Sequence, residues 1–430
     1  MCKALRSGLI ALLAVPAFAQ LPLANGDRAF VEHLFSQPES GDALSCRVQV
    51  FKPFLDFAFR FEAGYTLLCP LRQFAGEANT LYTFVRITPE GGKSVLLGES
   101  FGVPAIPAAI RSHVNLKRFS DEAELSGAFA LGEGAYRVEL LVIDHQRRAF
   151  VKSWTVAALA HRKEKQASLT MQPNTAGSAM LLSPRDNQKS MGAPNGLRLT
   201  VLLDAAPIFP RALAMRAWDR AFLLQSLSSL LGDLSYSSVR VVAFNLDQQQ
   251  EIFRQNDFHR SDFSLLAAAL RRLELAKVSY RAIQNQQGWS ELLAKLVNEE
   301  AAAAPPVDAV IFLGPRTRID RKVPPEMLKL EGTTPHFFYF EYFAYPGGDF
   351  PDTVHYLTNA CKGTVLKLHT PAELADGIRK MQRMLKESAA RGPAYSPATP
   401  LSSEQTSNRQ IAPHPPSNPS TPEEFAPPFP

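Results

Sequence analysis

The chain has 430 residues, of which 46% are hydrophobic and 20% are charged, the composition of a globular protein long enough for two domains. The formal net charge of +5 is small for this length, and lysine and arginine are scattered along the chain. This charge pattern argues against a nucleic-acid-binding protein. After the N-terminus, no segment has the roughly 18 consecutive apolar residues of a transmembrane helix, so we expect no permanent membrane anchor.

The first 19 residues have the pattern of a secretory signal peptide. Lys3 and Arg6 precede a short apolar stretch, and Ala17 and Ala19 form a small-x-small cleavage site before Gln20. This pattern predicts a secreted protein, periplasmic or extracellular, with residues 20–40 as an N-terminal extension.

Three cysteines follow the predicted cleavage site, and an odd number excludes a fully paired set of disulfides. Cys46 and Cys69 fall in neighbouring predicted strands and could form a disulfide in an oxidising compartment. They could equally be free, buried thiols, because cysteine behaves as a small hydrophobic residue. Cys361 has no flanking pattern of a catalytic nucleophile.

Residues 41–158 show the alternation of β-strands. Phe57, Phe59 and Phe61 alternate with small or polar residues, and the turn at 89–92 separates two further predicted strands. A late strand opens with Gly-x-Tyr at 134–136. This order of short strands predicts an immunoglobulin-like sandwich.

Two segments with different sequence patterns follow the sandwich. Residues 159–196 are polar and rich in Pro, Asn, Gly and Ser, which predicts a linker. Strand and helix patterns alternate over 197–388, which predicts an α/β doubly wound domain with a mostly parallel sheet. The predicted strands are 198–203, 239–244, 308–313, 336–343 and 364–368, and the predicted helices are 212–231, 261–274, 288–300 and 371–387.

The C-terminal segment, residues 389–430, is a predicted disordered tail. It contains eleven prolines in its last forty residues, together with many Ser and Thr. Such a composition cannot bury a hydrophobic core.

Acidic residues stand where the predicted parallel strands end. The apolar run 199–203 ends at Asp204, and the aromatic run 337–340 ends at Glu341. Ligand sites of open α/β sheets lie at these carboxyl ends. Asp349 and Asp352 follow in the next loop and could act as an acid–base pair. Alternatively, Glu341 is an exposed residue of the sheet edge and the two aspartates are solvated loop charges.

The second half of the chain resembles a von Willebrand factor A-type domain, and the whole chain is similar to the secreted "VWFA-related" proteins of acidobacteria. The resemblance covers residues 41–387. It depends on the order of five segments: the strand ending at Asp204, Ser264 with Ala269 and Leu270, the strand 308–315, the aromatic strand 337–340 and the helix that starts with 371–374.

This resemblance also implies that the metal site of the family has been lost. In the metal-dependent members, the first loop provides Asp-x-Ser-x-Ser, and here Ala206 and Ile208 replace the two serines. Gly314 stands in place of a second aspartate, and Ser264 matches a threonine. One carboxylate and one hydroxyl are too few for a divalent cation, which takes about six oxygen ligands. We therefore expect no metal and no cofactor.

The loss of the metal leaves the charge of Asp204 to be neutralised by the protein itself. Arg316 or Arg318 could form a forked ion pair with Asp204, supported by Ser264. Backbone amides at the start of the following helix could serve instead.

From these residues, the leading hypothesis is a non-catalytic, secreted protein-interaction module. It would bind another envelope or extracellular protein through the carboxyl edge of the sheet. The candidate residues are Asp204, Ser264, Arg316, Arg318 and Glu341. One alternative is an extracytoplasmic enzyme that uses Asp204, Glu341, Asp349 and Asp352. The other is a structural envelope protein, with the sandwich and the tail as spacers.

Overall fold

The fold comes from a computed structural model, which describes residues 20–391 except 37–42, 75, 107–120, 181–195, 210, 211, 213, 277–279, 331–334 and 344–349. The predicted signal peptide and nearly all of the predicted disordered tail therefore lie outside the described residues. No helix among the described residues is long and apolar enough to cross a membrane.

The N-terminal half contains two antiparallel sheets. The first has five strands in the order β1-β5-β4-β7-β8, and the second has four in the order β2-β3-β6-β9. The strands of the first sheet are β1 (Leu21–Pro22), β4 (Asn79–Pro89), β5 (Val95–Val103), β7 (Gly134–Asp144) and β8 (Ala149–Ala158), and those of the second are β2 (Arg47–Leu55), β3 (Phe61–Pro70), β6 (Glu122–Leu131) and β9 (Ala176–Ser178). Residues 176–178 of the predicted linker thus belong to the second sheet.

The two antiparallel sheets share one hydrophobic core. Alternate residues of β3 and β4, such as Leu67 and Val85, are completely buried in the same cluster. The rings of Tyr65 on β3 and Trp154 on β8 meet edge to face, with 6.2 Å between their centres. Cys46 and Cys69 are joined by a disulfide that links the start of β2 to β3.

Helix α1 (Asn25–Ser36) packs against the five-stranded sheet. The sequence did not predict a helix in this part of the chain. Val31 and Leu34 are buried, and Glu32 forms an ion pair of 3.0 Å with Arg86 on β4. Apolar residues on one side of the helix therefore cover apolar surface of the sheet.

The C-terminal half contains a six-stranded sheet in the order β12-β11-β10-β13-β14-β15. Five strands are parallel and β12 at one edge is antiparallel. The strands are β10 (Leu197–Asp204), β11 (Tyr236–Asn245), β12 (Gln250–Gln255), β13 (Ala309–Pro315), β14 (His336–Tyr342) and β15 (Thr364–Leu368), and the helices are α2 (Ala217–Asp233), α3 (Phe263–Arg272), α4 (Tyr280–Gln284), α5 (Gly288–Ala301), α6 (Thr353–Ala360) and α7 (Pro371–Arg391). The five strands and four helices predicted from the sequence correspond to nine of these elements, whereas β12, α4 and α6 were not predicted.

Helices cover both faces of the six-stranded sheet. Consecutive strand residues face opposite sides, so Leu203 packs into one hydrophobic cluster while Leu202 packs into another. The first cluster includes residues of α2, α3 and α7, and the second includes residues of α5 and α6. Burial on both faces explains why these strands are uninterrupted apolar runs.

The turn between β2 and β3 joins the two halves of the chain. The ring of Phe57 lies edge-on to the rings of Phe222 on α2 and Tyr342 on β14, at 4.8 and 5.5 Å between centres. Ser229 donates a hydrogen bond of 2.7 Å to the carbonyl of Phe57. Contacts such as these group the described residues up to Glu387 into one compact unit, and the domain limits proposed from the sequence stay a prediction.

Candidate functional site

Asp204 is the last residue of β10, at the carboxyl edge of the parallel sheet. Its relative exposure is only 3%. On the neighbouring strand β13, Gly314 lies directly against it: a Cβ added to Gly314 would come within 2.8 Å of the Asp204 Cβ and 3.0 Å of its carbonyl oxygen. The absence of a side chain at Gly314 is therefore what allows the two strand ends to approach.

The carboxyl group of Asp204 is buried. Neither oxygen makes a hydrogen bond with any residue that the structure describes. Burial raises the pKa of Asp204 well above its ordinary value of 3.8, and repulsion from Asp352 and Asp247 raises it further. Burial therefore favours the protonated, neutral form of the acid, because a buried charge without a counter-charge is far more costly than a bound proton.

The predicted ion pair of Asp204 with an arginine is wrong. Arg318 instead lies 3.4 Å from the carboxylate of Asp247 and is 44% exposed. The Arg316 guanidinium lies 5.6 Å from the centre of the Phe343 ring. At the protein surface both guanidinium groups keep part of their hydration. Burying one of them beside Asp204 would cost more free energy, through lost hydration, than protonating the acid.

Two further elements of that prediction are also wrong. Ser264 is exposed in the first turn of α3 and donates its hydroxyl hydrogen bond to the carbonyl of Ser261, at 3.0 Å. The alternative of helix amides fails as well, because the Asp204 oxygens accept no hydrogen bond from the described residues. The raised pKa of Asp204 favours neutralisation by a proton instead, which the sequence did not predict.

Glu341 is completely buried, so its interpretation as an exposed residue of the sheet edge is wrong. Its Oε2 lies 3.3 Å from Nδ1 of His355 on α6. Because β14 is covered on both faces, even its penultimate residue is removed from solvent. The structure therefore brings Glu341 together with a histidine whose role the sequence did not indicate.

Asp352 is also buried, at 1% exposure, and is not a solvated loop charge. It is the N-cap of α6 and accepts a hydrogen bond of 2.8 Å from the amide of His355. It also accepts from the amide of Thr317, at 2.7 Å, and from the hydroxyl of Tyr339, at 3.0 Å. Pro-Asp-Thr before a short helix is a recognisable capping signal. Asp349 lies outside the described residues.

Tyr339 connects these acids. Burial raises the pKa of its hydroxyl well above the ordinary value, and the charges of Asp352 and Glu341 raise it further. The phenol therefore stays protonated and can only donate to Asp352. Three carboxyl groups thus converge beneath the sheet edge, but helix capping and internal hydrogen bonds already use Asp352.

A small opening lies beside Asp204. It has a volume of about 10 Å³, enough for roughly one water molecule. Its lining includes Asp204, Ala206, Asn245, Asp247 and Thr317. No group of three or more potential metal ligands occurs among the described residues.

We expect Gly314→Ala to lower the free energy of unfolding by about 1–3 kcal/mol, the usual cost of overpacking a buried position. The added methyl group would collide with the backbone and Cβ of Asp204. Urea denaturation measures the loss. Gly102→Ala on β5 is the control, because a Cβ there meets nothing within 4 Å. Equal stability of the two variants would contradict the close approach at Asp204.

Comparisons with known proteins do not assign the chain to a family. No protein-family model matches it, and neither does any curated protein. Three solved structures illustrate the level of similarity. A Bordetella pertussis protein solved under the name ApaA is 10% identical, with a TM-score of 0.17, over 27% of this chain and 95% of that one.

The two other structures are glycoside hydrolases. Bacteroides uniformis β-glucuronidase is 12% identical, with a TM-score of 0.17, over 71% of this chain and 36% of that one. A glycosyl hydrolase family 2 member from Bacteroides cellulosilyticus is 13% identical, with a TM-score of 0.19, over 70% and 36%. At TM-scores this low, the likeness supports neither a fold assignment nor an activity.

Proposed function

We propose that this chain is a non-catalytic, secreted protein-interaction module, in which an immunoglobulin-like sandwich precedes a von Willebrand factor A-like domain without a metal site. It would bind another envelope or extracellular protein through the carboxyl edge of the parallel sheet. The observation that carries the proposal is the state of Asp204: a buried, neutral acid beside space for one water molecule.

The same observation weighs against the enzyme alternative. Small-molecule sites commonly enclose about 300–1,000 Å³, far more than the opening beside Asp204. Asp204, Glu341 and Asp352 are each at most 3% exposed, so a substrate could not reach their carboxyl groups without a rearrangement. Acid–base catalysis requires a hydrogen-bonding distance between the acid and the substrate. The arrangement therefore favours a structural role for the buried acids.

Surface residues around this edge favour recognition of a macromolecule. Asp247 and Arg318 are exposed on adjacent loops, and Phe350, between β14 and α6, is 73% exposed. Arginine and aromatic side chains are enriched at the centres of protein interfaces. A purely structural protein would not require such a side chain at this position.

We expect magnesium to leave the thermal midpoint of the wild type and of Asp204→Asn unchanged, because the acid is protonated and has no companion ligands. Asp204→Asn should also be more stable than the wild type at alkaline pH. The folded pKa of Asp204 is raised, so the stability this group contributes is full at acid pH and is lost as the pH rises through the folded pKa. Asparagine does not titrate and avoids that loss.

Thermal unfolding of both proteins at acid and alkaline pH, with and without millimolar magnesium, measures both effects. Micromolar magnesium binding by the wild type that disappears in Asp204→Asn would contradict the proposal and restore a metal-dependent interaction.

Site-specific photo-crosslinking tests the proposed interaction surface. A photoreactive amino acid at Ala206 would probe the carboxyl edge, and the same group at Ser237, near the start of β11, would serve as the matched control at the opposite edge. We expect a discrete crosslinked partner in the native envelope from Ala206 and not from Ser237. Identical crosslinks from both positions, or none from either, would favour the structural alternative.

A further inference from the structure

Positive charge is concentrated at the proposed interaction surface. Between residues 316 and 322 the chain carries four basic side chains and one acidic one, a net charge of +3 in seven residues. Lys367 at the end of β15 adds a fifth cation. We call this set the basic rim; it consists of Arg316, Arg318, Arg321, Lys322 and Lys367.

Two aromatic rings make cation–π contacts with side chains of the basic rim. Arg316 lies 5.6 Å and Lys367 lies 6.0 Å from the centre of the Phe343 ring. Lys322 lies 5.3 Å from the centre of the Tyr356 ring. These cation–π contacts stabilise like charges close to one another. Four of the five side chains are exposed, and Arg316 is half-buried.

Two exposed acids among the described residues, Asp247 and Asp320, adjoin the basic rim. Asp247 pairs with Arg318 at 3.4 Å, and both side chains are about 40% exposed, so the pair is solvated and weak. Asp320, between Arg318 and Arg321 in the chain, is also exposed. Asp204 lies beneath the rim but is neutral, because burial and two neighbouring acids raise its pKa. The five cations of the basic rim and these two exposed acids therefore sum to a net charge of +3.

We infer that the basic rim binds an acidic segment of a protein partner, whose Asp or Glu side chains pair with Arg316, Arg318 and Arg321. The inference rests on the proposed function and specifies the chemistry of the partner. Guanidinium groups suit this role because they bind carboxylates through two parallel hydrogen bonds. The exposed ring of Phe350 would contact an apolar residue of the same segment.

An acidic protein segment fits this surface better than other polyanions. A DNA-binding surface commonly neutralises about 6–10 phosphates, more than the basic rim provides. An anionic membrane attracts clusters of about 4–8 basic residues, normally beside an amphipathic or membrane-spanning helix. The basic rim instead lies on the loop after β13 and at the end of β15.

Fluorescence anisotropy with a fluorescein-labelled oligo-L-glutamate peptide and the full chain tests the inference. We expect saturable binding that weakens with added salt. The double variant Arg318→Glu/Arg321→Glu should bind at least about ten-fold more weakly, because both reversals repel the probe. The control Arg137→Glu/Lys152→Glu changes the net charge equally on exposed residues of the sandwich and should bind within about two-fold of the wild type.

If the double variant does not fold, Arg318→Gln/Arg321→Gln replaces it, with an expected loss of about three-fold or more. Equal losses in rim and control variants would overturn the inference, because they would indicate nonspecific charge attraction. Heparin or phosphatidylglycerol vesicles that displace the probe at matched charge would also overturn it. If Ala206 still crosslinks to a partner but the peptide does not bind, only the inference that the partner segment is acidic is rejected. If neither crosslinking nor peptide binding is observed, the proposed function is rejected as well.

Discussion

Arg60→Ala should lower the free energy of unfolding by about 3–5 kcal/mol, the cost of breaking a buried ion pair from one side. Arg60 is only 4% exposed, and its Nε donates a hydrogen bond of 2.9 Å to Oδ2 of Asp56. Its guanidinium also donates to the carbonyls of Ser178, the last residue of β9, and of Ala179, which follows it. Without Arg60, Asp56 loses its counter-charge and two buried carbonyls lose a donor.

The position of Arg60 explains why the effect should reach both halves of the chain. Asp56, held by Arg60, also accepts a hydrogen bond of 3.1 Å from Gln225 on α2. The ion pair therefore supports the turn that carries Phe57 toward Phe222. We expect the unfolding transition of the variant to move as a whole, since the turn belongs to the contact between the sandwich and the parallel sheet.

Urea denaturation compares Arg60→Ala with Arg47→Ala. Arg47 makes an ion pair of similar length with Glu122, at 2.7 Å, but its side chain is 66% exposed. A surface pair contributes about 0–1 kcal/mol, so the control should remain near wild-type stability. Similar small losses in both variants would show that Asp56 does not depend on Arg60.

Glu62→Gln should raise the free energy of unfolding by about 3 kcal/mol at alkaline pH and have little effect at acid pH. Burial raises the pKa of Glu62 to about 7 from its ordinary value of 4.5; repulsion from Asp56 adds to the shift, while Arg60 and a hydrogen bond from Gln225 oppose it. The neighbouring strand residues opposite Glu62, Phe54 and Ala130, carry no charge.

The sign follows from the raised pKa. The folded state holds a proton on Glu62 more tightly than the unfolded chain does, so the stability from this proton is complete below about pH 4.5. It is lost as the pH rises from there through about 7. Glutamine imitates the protonated acid at every pH and removes this loss.

Free energies of unfolding of the wild type and Glu62→Gln, measured from pH 4 to pH 9 in urea, should converge at the acid end and diverge above about 7. Glu90→Gln is the matched control, because Glu90 is exposed in the turn between β4 and β5. A constant difference across the pH range would mean that the substitution changes packing and not a protonation equilibrium.

The sequence alone located most of the regular structure of the C-terminal half. The apolar runs that end at Asp204 and Glu341 are long and bounded, and a strand buried on both faces needs only local composition to be recognised. Short elements, and the strand at the edge of the sheet, were not predicted. The six residues of β12 are mostly half-exposed, and α6 has only eight residues, so neither has a strong periodic signal.

The sequence also placed Asp204 at the carboxyl end of a central strand, because the strand boundary and the acid are adjacent in the chain. Only the tertiary structure decided the charge of that acid. Its protonation depends on the loss of water around it and on the negative charge of Asp352, which is distant in sequence. The close approach of Gly314 on the neighbouring strand contributes to this burial. Desolvation and Coulomb repulsion depend on distances in space, and these are fixed only when the sheet closes around the residue.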